Sequence, residues 1–191
     1  MSKTIAVIGS GISGLAAAIR LANRGYIVSV YEANSYPGGK LTSFRLGDYR
    51  FDAGPSLFTL PHLIEELFEL TGEDISQYFS YQKLNESCRY FYPDGTQLTA
   101  WSDESLLKNE FETKLQEDWK NVENFLKSSA FKYEYLSPLF IEKSLHKKST
   151  WLSSAAFRAY GKLSKFGFNQ TMHRANTSSF QNKKTVQLFD R

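Results

Sequence analysis

One cysteine, Cys88, stands in a chain of 191 residues. That excludes an internal disulfide and any Cys-based metal spacing, and leaves Cys88 to be a small half-buried strand residue. Histidine is almost as scarce. His62, His146 and His173 are scattered, with no cysteine or carboxylate at ligand spacing, so no metal centre is expected. No run reaches the roughly 18 apolar residues of a membrane span. The apolar run at 5–8 is too short for the core of a secretory leader. The expectation is a cytoplasmic chain, or one lying peripherally on the inner face of the cell membrane. No Ser/His/Asp or Cys/His set and no paired carboxylates are visible, so no catalytic residue is assigned. Internal repeats and low-complexity linkers are also missing.

Acidic residues are missing from one end only. Residues 1–142 carry 13 Lys/Arg and 19 Asp/Glu, whereas 143–191 carry 10 Lys/Arg and the single acid Asp190. A basic end of this kind calls for an anionic partner or an exposed face. What the chain does have is apolar substance. With 41% hydrophobic and 15% aromatic residues it can bury a core and is not disordered in composition.

The most informative stretch lies at 5–40. A short buried-strand run leads into Gly9, Gly11 and Gly14 in G-x-G-x-x-G spacing, with Ile12 and Ser13 between them. An apolar-periodic helix follows, with Leu15, Ala16, Ile19 and Ala22 as its buried stripe. A second strand then ends at Glu32, 18 residues beyond Gly14, followed by Ala33. A dinucleotide pyrophosphate needs this order. Gly9 allows the tight turn, Gly11 lets backbone approach phosphate, and Gly14 lets the helix lie close to the sheet. The helix N-terminus offers free N–H groups to the anion. Glu32 sits near the roughly 20-residue offset of the acid that binds ribose hydroxyls, and its charge disfavours a 2′-phosphate.

Two further glycine segments follow. Gly38-Gly39-Lys40 suits a second backbone approach to the cofactor, with Lys40 offsetting phosphate charge. After a short polar hairpin at 41–50 comes Phe51-Asp52-Ala53-Gly54-Pro55-Ser56. Singly, each could be an ordinary turn; their order and spacing favour FAD over NAD. Asp52 reads as a loop-fixing carboxylate.

With these motifs together the chain resembles the FAD-dependent bacterial carotenoid (phytoene) desaturase family, including the 1-hydroxycarotenoid 3,4-desaturases. Softer features point the same way: Gly54-Pro55-Ser56-Leu57-Phe58-Thr59, Tyr90-Phe91-Tyr92-Pro93-Asp94-Gly95, and Gln187-Leu188-Phe189-Asp190-Arg191. The family has Gly-Gly-Arg where this chain has Gly-Gly-Lys, which keeps the charge and loses bidentate geometry. The resemblance implies an FAD-dependent oxidoreductase that dehydrogenates a long apolar polyene, such as phytoene or a hydroxycarotenoid. The cofactor-binding residues it implies are Gly9, Gly11, Ile12, Ser13, Gly14, Glu32, Ala33, Gly38, Gly39, Lys40, Gly54, Pro55 and Ser56. Family members are longer, and their C-terminal part completes the FAD domain. The chain is therefore read as an N-terminal portion that is inactive alone. Alternatives are another flavin oxidase of the superfamily, amine oxidase-like or a carotenoid isomerase, or a non-catalytic remnant.

The expected fold class is α/β: a Rossmann-like FAD-binding βαβ unit, incomplete without C-terminal segments, then a hairpin and a helical region facing substrate or membrane. The expected divisions are 1–72 for the cofactor unit, 73–102 for the start of a substrate sheet, and 103–191 for helices. Leu63, Ile64, Leu67, Phe68 and Leu70 predict a helix over 61–71 ended by Gly72, with Glu65, Glu66 and Glu69 on its solvated face. A hairpin is expected at 78–101, turning at Pro93-Asp94-Gly95; its Tyr90, Phe91, Tyr92 and Trp101 either pack a sheet or line a hydrocarbon tunnel. A helix pair is expected over 103–127, opened by Ser102 or Asp103. Over 134–168, Leu136, Phe140, Trp151, Phe157, Tyr160 and Phe168 alternate with six Lys/Arg, a pattern that suits an anionic membrane interface or a helical subdomain with a basic face. No nucleic-acid partner is expected, since no groove-reading element or stacking platform is evident.

Overall fold

A computed structural model describes residues 3–55 and 57–190. It divides into two compact units, Met1–Gln82 and Lys83–Arg191.

The first unit begins with β1 (Thr4–Ile8), α1 (Ile12–Asn23) and β2 (Ile27–Tyr31). The strands pair in parallel, Val7 opposite Val30, so α1 is a crossover connection. The expected stripe on α1 is partly corrected. Leu15, Ala16 and Ile19 are half-buried, but Ala22 is exposed and Ala18 is the buried residue. Gly14 and Ala18 are one helical turn apart on one face, and two small residues there let the helix lie close to the strand below. A hairpin of β3 (Ser43–Leu46) and β4 (Tyr49–Asp52) follows, with Phe44 stacked on Phe51 across the pair at 5.3 Å.

The predicted helix at 61–71 is α2 (His62–Thr71), ended by Gly72 in the left-handed conformation at φ 74°. It packs on α1, and Arg20 pairs with Glu66 at 3.1 Å. Glu65 accepts the Tyr81 hydroxyl. Two of the three glutamates expected on the solvated face therefore have partners. The segment after α2 folds back on it, bringing Phe68 and Tyr78 to 5.5 Å. This return is why the first unit extends to 82 and not to the expected 72.

In the second unit, β5 (Glu86–Phe91) and β6 (Gln97–Trp101) form the expected antiparallel hairpin. Residues 81–84 are loop, so the hairpin begins at Glu86 and not at the expected 78. Cys88 is exposed, correcting its expected half-burial. The sheet is not a separate part ending at 102. Leu98 of β6, 1% exposed, sits in one core with residues of the helices that follow.

Those helices are α3 (Glu104–Lys114), α4 (Trp119–Phe140), α5 (Lys148–Trp151), α6 (Ser154–Tyr160), α7 (Met172–Ser179) and α8 (Lys183–Phe189). Asp103 caps α3 by accepting the Leu106 N–H at 2.9 Å, as expected of one of the two candidates. The helix pair is longer than the expected end at 127. Phe131, Tyr135 and Leu139 recur every four residues, so the apolar face of α4 continues onto a second core with Ala156, Ala159 and Phe166. The break between α3 and α4 is fixed by Glu117, 1% exposed. Its carboxylate accepts the backbone N–H groups of Gln181 and Asn182, at 3.1 and 2.8 Å, and the Asn121 amide at 2.9 Å. Gln116 takes a left-handed φ of 52° to turn that carboxylate inward.

Candidate functional site

Three glycine segments come together at the C-terminal ends of β1 and β2. Gly9 leaves β1 at φ 97°, and its N–H donates to the Tyr31 carbonyl at 2.7 Å, holding the turn to the end of β2. A Cβ on Gly14 would stand 2.0 Å from the Gly9 carbonyl oxygen, so only glycine allows α1 to start there. The Gly38 N–H donates to the Ser10 carbonyl at 2.9 Å, and Gly11 and Gly38 form a parallel bridge. A Cβ on Gly39 would meet the Gly11 Cα at 3.1 Å. One on Gly54 would meet the Lys40 carbonyl at 2.6 Å. The loops at 9–14, 38–41 and 52–55 thus stack backbone on backbone.

The electrostatics suit an anion. Gly11 is the N-cap of α1, no side chain caps it, and no acid lies in the first turn. The N–H groups of Ile12, Ser13 and Gly14 have no acceptor within the helix. Lys40 is exposed just beyond the double glycine. Ala33, next to Glu32, and Pro55, next to Gly54, are exposed, and Ser56 lies outside the described residues.

Glu32 does more than the sequence discloses. Its Oε2 accepts the Ser10 N–H at 2.7 Å and hydroxyl at 2.8 Å. Its Oε1 accepts the Asn34 N–H at 2.9 Å and side-chain amide at 2.8 Å. The Asn34 backbone N–H, then that of Ser10, lower its pKa to about 2. Glu32 is thus an ionised brace between the glycine turn and the end of β2. A ribose hydroxyl would bind it by replacing the Ser10 hydroxyl or the Asn34 amide. Ser10, 5% exposed, escaped the sequence reading; a small polar residue between Gly9 and Gly11 was its only signal. Asp52 is exposed and pairs with Arg50 at 2.7 Å. The loop after it is held instead by the Ala53 N–H on the Thr42 carbonyl at 2.8 Å.

Beside the glycine loops lies an apolar hollow of about 840 Å³, bordered by Ile12 and Leu41 and walled by Ile19, Leu67, Phe68 and Phe79. Of the two readings of the hairpin aromatics, sheet packing is the one found among the described residues. Tyr90 and Tyr92 pack against the core around Leu98, Phe91 is 69% exposed, and the adjacent cavity is only about 30 Å³. Alternation along β5 turns the tyrosines inward to a packed layer and leaves no lumen. Among the described residues no cluster of three or more His, Cys, Asp or Glu is placed to hold a metal.

Residues 7–71 match the family described as an NAD(P)-binding Rossmann-like domain. The whole chain is 48% identical to a 1-hydroxycarotenoid 3,4-desaturase of Flavobacterium sp. (strain P99-3), covering 38% of that protein. Over 101 residues, 53% of this chain, it is 44% identical to a 4,4'-diaponeurosporene oxygenase of Staphylococcus aureus (strain MRSA252), covering 20% of that protein. These likenesses support a place for the chain among the carotenoid desaturases. This carotenoid desaturase relative spans about two fifths of the Flavobacterium protein's length, and its first unit carries the Rossmann-like domain that the glycine loops build.

Proposed function

We propose that the chain supplies the dinucleotide-binding part of an FAD-dependent oxidoreductase that dehydrogenates a long apolar polyene in carotenoid biosynthesis. The stacking of the 38–41 and 52–55 loops on the G-x-G-x-x-G turn carries this reading. One glycine turn serves any dinucleotide; the second and third bring further backbone up to it. Gly14 and Gly54 leave no room for a Cβ against backbone oxygens, and Gly39 is tight against the Gly11 Cα, so these glycines hold the three loops together, while Gly9 and Gly11 leave room beside the α1 N-terminus.

The N–H groups of Ile12, Ser13 and Gly14 would hold the pyrophosphate, Lys40 would offset its charge, and Glu32 would face the ribose while bracing Ser10. When bound, the flavin supplies the two-electron acceptor that a polyene without a charged handle requires. The protein's own contribution is placement and exclusion of water. The hollow bordered by Ile12 and Leu41 is mainly apolar, with Glu73 and Tyr78 in its lining, and suits an apolar substrate.

Grafting this chain into the Flavobacterium relative, in place of the aligned segment, tests the proposal. The chimera is expected to purify with flavin and to shift an acyclic carotenoid's absorption to longer wavelength as conjugation lengthens. A soluble chimera without flavin contradicts the cofactor assignment. One that holds flavin and leaves the polyene unchanged contradicts the substrate assignment.

A further inference from the structure

A carboxylate offers about four lone-pair positions to donors, and on Glu32 all four are taken. Two of the donors are main chain: the Ser10 N–H on Oε2 at 2.7 Å and the Asn34 N–H on Oε1 at 2.9 Å. The other two are side chains: the Ser10 hydroxyl on Oε2 and the Asn34 amide on Oε1, both at 2.8 Å. The main-chain pair cannot leave without opening the glycine turn or the end of β2. A ribose that needs this carboxylate must therefore displace a side chain, and the two side chains are not alike.

Ser10 is fixed from several directions. Besides its two bonds to Glu32, its carbonyl accepts the Gly38 N–H at 2.9 Å, and the Gly9 N–H just before it is held by the Tyr31 carbonyl at 2.7 Å. The residue is 5% exposed, so a hydroxyl pushed off Oε2 would be left buried without a partner. Nothing ties the Asn34 side chain in this way. Its amide has no hydrogen bond to any other described residue, and it turns on two side-chain torsions. When it swings, the Asn34 main-chain N–H stays on Oε1 and keeps the carboxylate aimed.

Given the dinucleotide site proposed above, we infer that Asn34 sets the ribose specificity of the cradle: its amide occupies Oε1 in the empty protein and gives way to a ribose hydroxyl, while Ser10 is a positioning residue that holds Oε2 throughout. One donor then replaces another on the same oxygen, so the amide offsets part of what the hydroxyl gains. A sugar without hydroxyls leaves the amide in place and gains nothing from Glu32.

Equilibrium binding of FAD, and of its analogue built on 2′,3′-dideoxyadenosine, to the flavin-stripped chimera described above tests this. The parent chimera should prefer FAD about tenfold. N34A keeps the main-chain N–H and removes the competitor; it should widen the preference to about fiftyfold by tightening FAD alone. S10A keeps its own N–H and removes an anchor of Oε2; it should narrow the preference to about twofold by weakening FAD alone. Affinity for the analogue should stay that of the parent in both variants and serves as the folding control, since a merely structural role would weaken both ligands together. A preference that N34A leaves unchanged or narrows, or that S10A leaves unchanged or widens, would overturn the inference. A parent chimera that binds FAD and the analogue equally would overturn it while leaving the cofactor assignment standing. A chimera that binds neither ligand would sink the cofactor assignment and this inference with it.

Discussion

Gly14→Ala probes the glycine cradle most sharply. The added methyl would stand 2.0 Å from the Gly9 carbonyl oxygen, 3.1 Å from the Gly9 carbonyl carbon and 3.6 Å from a Val7 methyl. A Cβ essentially never lies within 3.0 Å of such an atom, so about 1 Å of movement is forced, and the obstacle is backbone. Either α1 lifts from β1 or the Gly9 turn opens. Overpacking of this kind costs about 1–3 kcal/mol of stability. The larger effect falls on the anion. A 1 Å displacement takes the N–H groups of the first turn out of hydrogen-bond range, and each bond to a charged group is worth about 1.5–3 kcal/mol. Losing one or two weakens FAD binding about a hundredfold or more. Titration of FAD fluorescence against parent and variant reads this directly. Gly25→Ala is the control: Gly25 also has positive φ, at 83°, but open space around its Cβ position. It should cost about 1 kcal/mol of stability and leave FAD affinity unchanged. Parent-like affinity in a folded Gly14→Ala protein would refute the assignment of the α1 N-terminus to the pyrophosphate.

Other expectations follow from charge and packing. Glu32 and Asp94 both have pKa values lowered to about 2, by the N–H groups of Asn34 and Ser10 in one case and by Lys184 and Thr96 in the other. Their stabilisation is complete above the ordinary carboxyl range and is lost as pH falls from about 4 towards 2. Thermal melts across that window should show it, Glu32→Gln should reduce it and leave the Asp94 share, and a flat parent profile would contradict both braces. Glu117→Ala leaves the Gln181 and Asn182 N–H groups without their acceptor in a site 1% exposed, and should cost about 3 kcal/mol in denaturant titration. A loss below about 0.5 kcal/mol would show that water replaces the carboxylate. Phe111→Ala, at 2% exposure and beside Trp119, should cost about 3–5 kcal/mol by the same assay.

What was legible in the sequence was local. The βαβ order, the glycine spacing, the Gly72 stop and the Pro93-Asp94-Gly95 turn each depend on a few adjacent residues, and each is found where expected. What was hidden joins residues far apart. The Ser10–Glu32 brace spans 22 positions, and Glu117 reaches across 65 to Asn182. No periodicity announces such bonds. Glu65, Glu66 and Glu69 read alike on one helix, yet Tyr81 and Arg20 engage the first two. Burial inside α1 shifted from Ala22 to Ala18 because close helix–strand contact, and not the apolar count, chose the face. The hairpin aromatics fitted a packed sheet or a tunnel by type, packing being the commoner use of such residues; the helical core beside Tyr90 and Tyr92 decides for packing.

The measurement that bears most directly on the cofactor cradle is the visible absorbance, after addition of FAD and desalting, of the purified chimera that carries this chain in place of the aligned segment of the Flavobacterium relative. A retained flavin band, reduced in Gly14→Ala and intact in Gly25→Ala, is the expected result. A folded chimera that emerges colourless, beside an unaltered relative that holds the flavin band under the same treatment, would contradict the assignment of the three glycine loops to FAD.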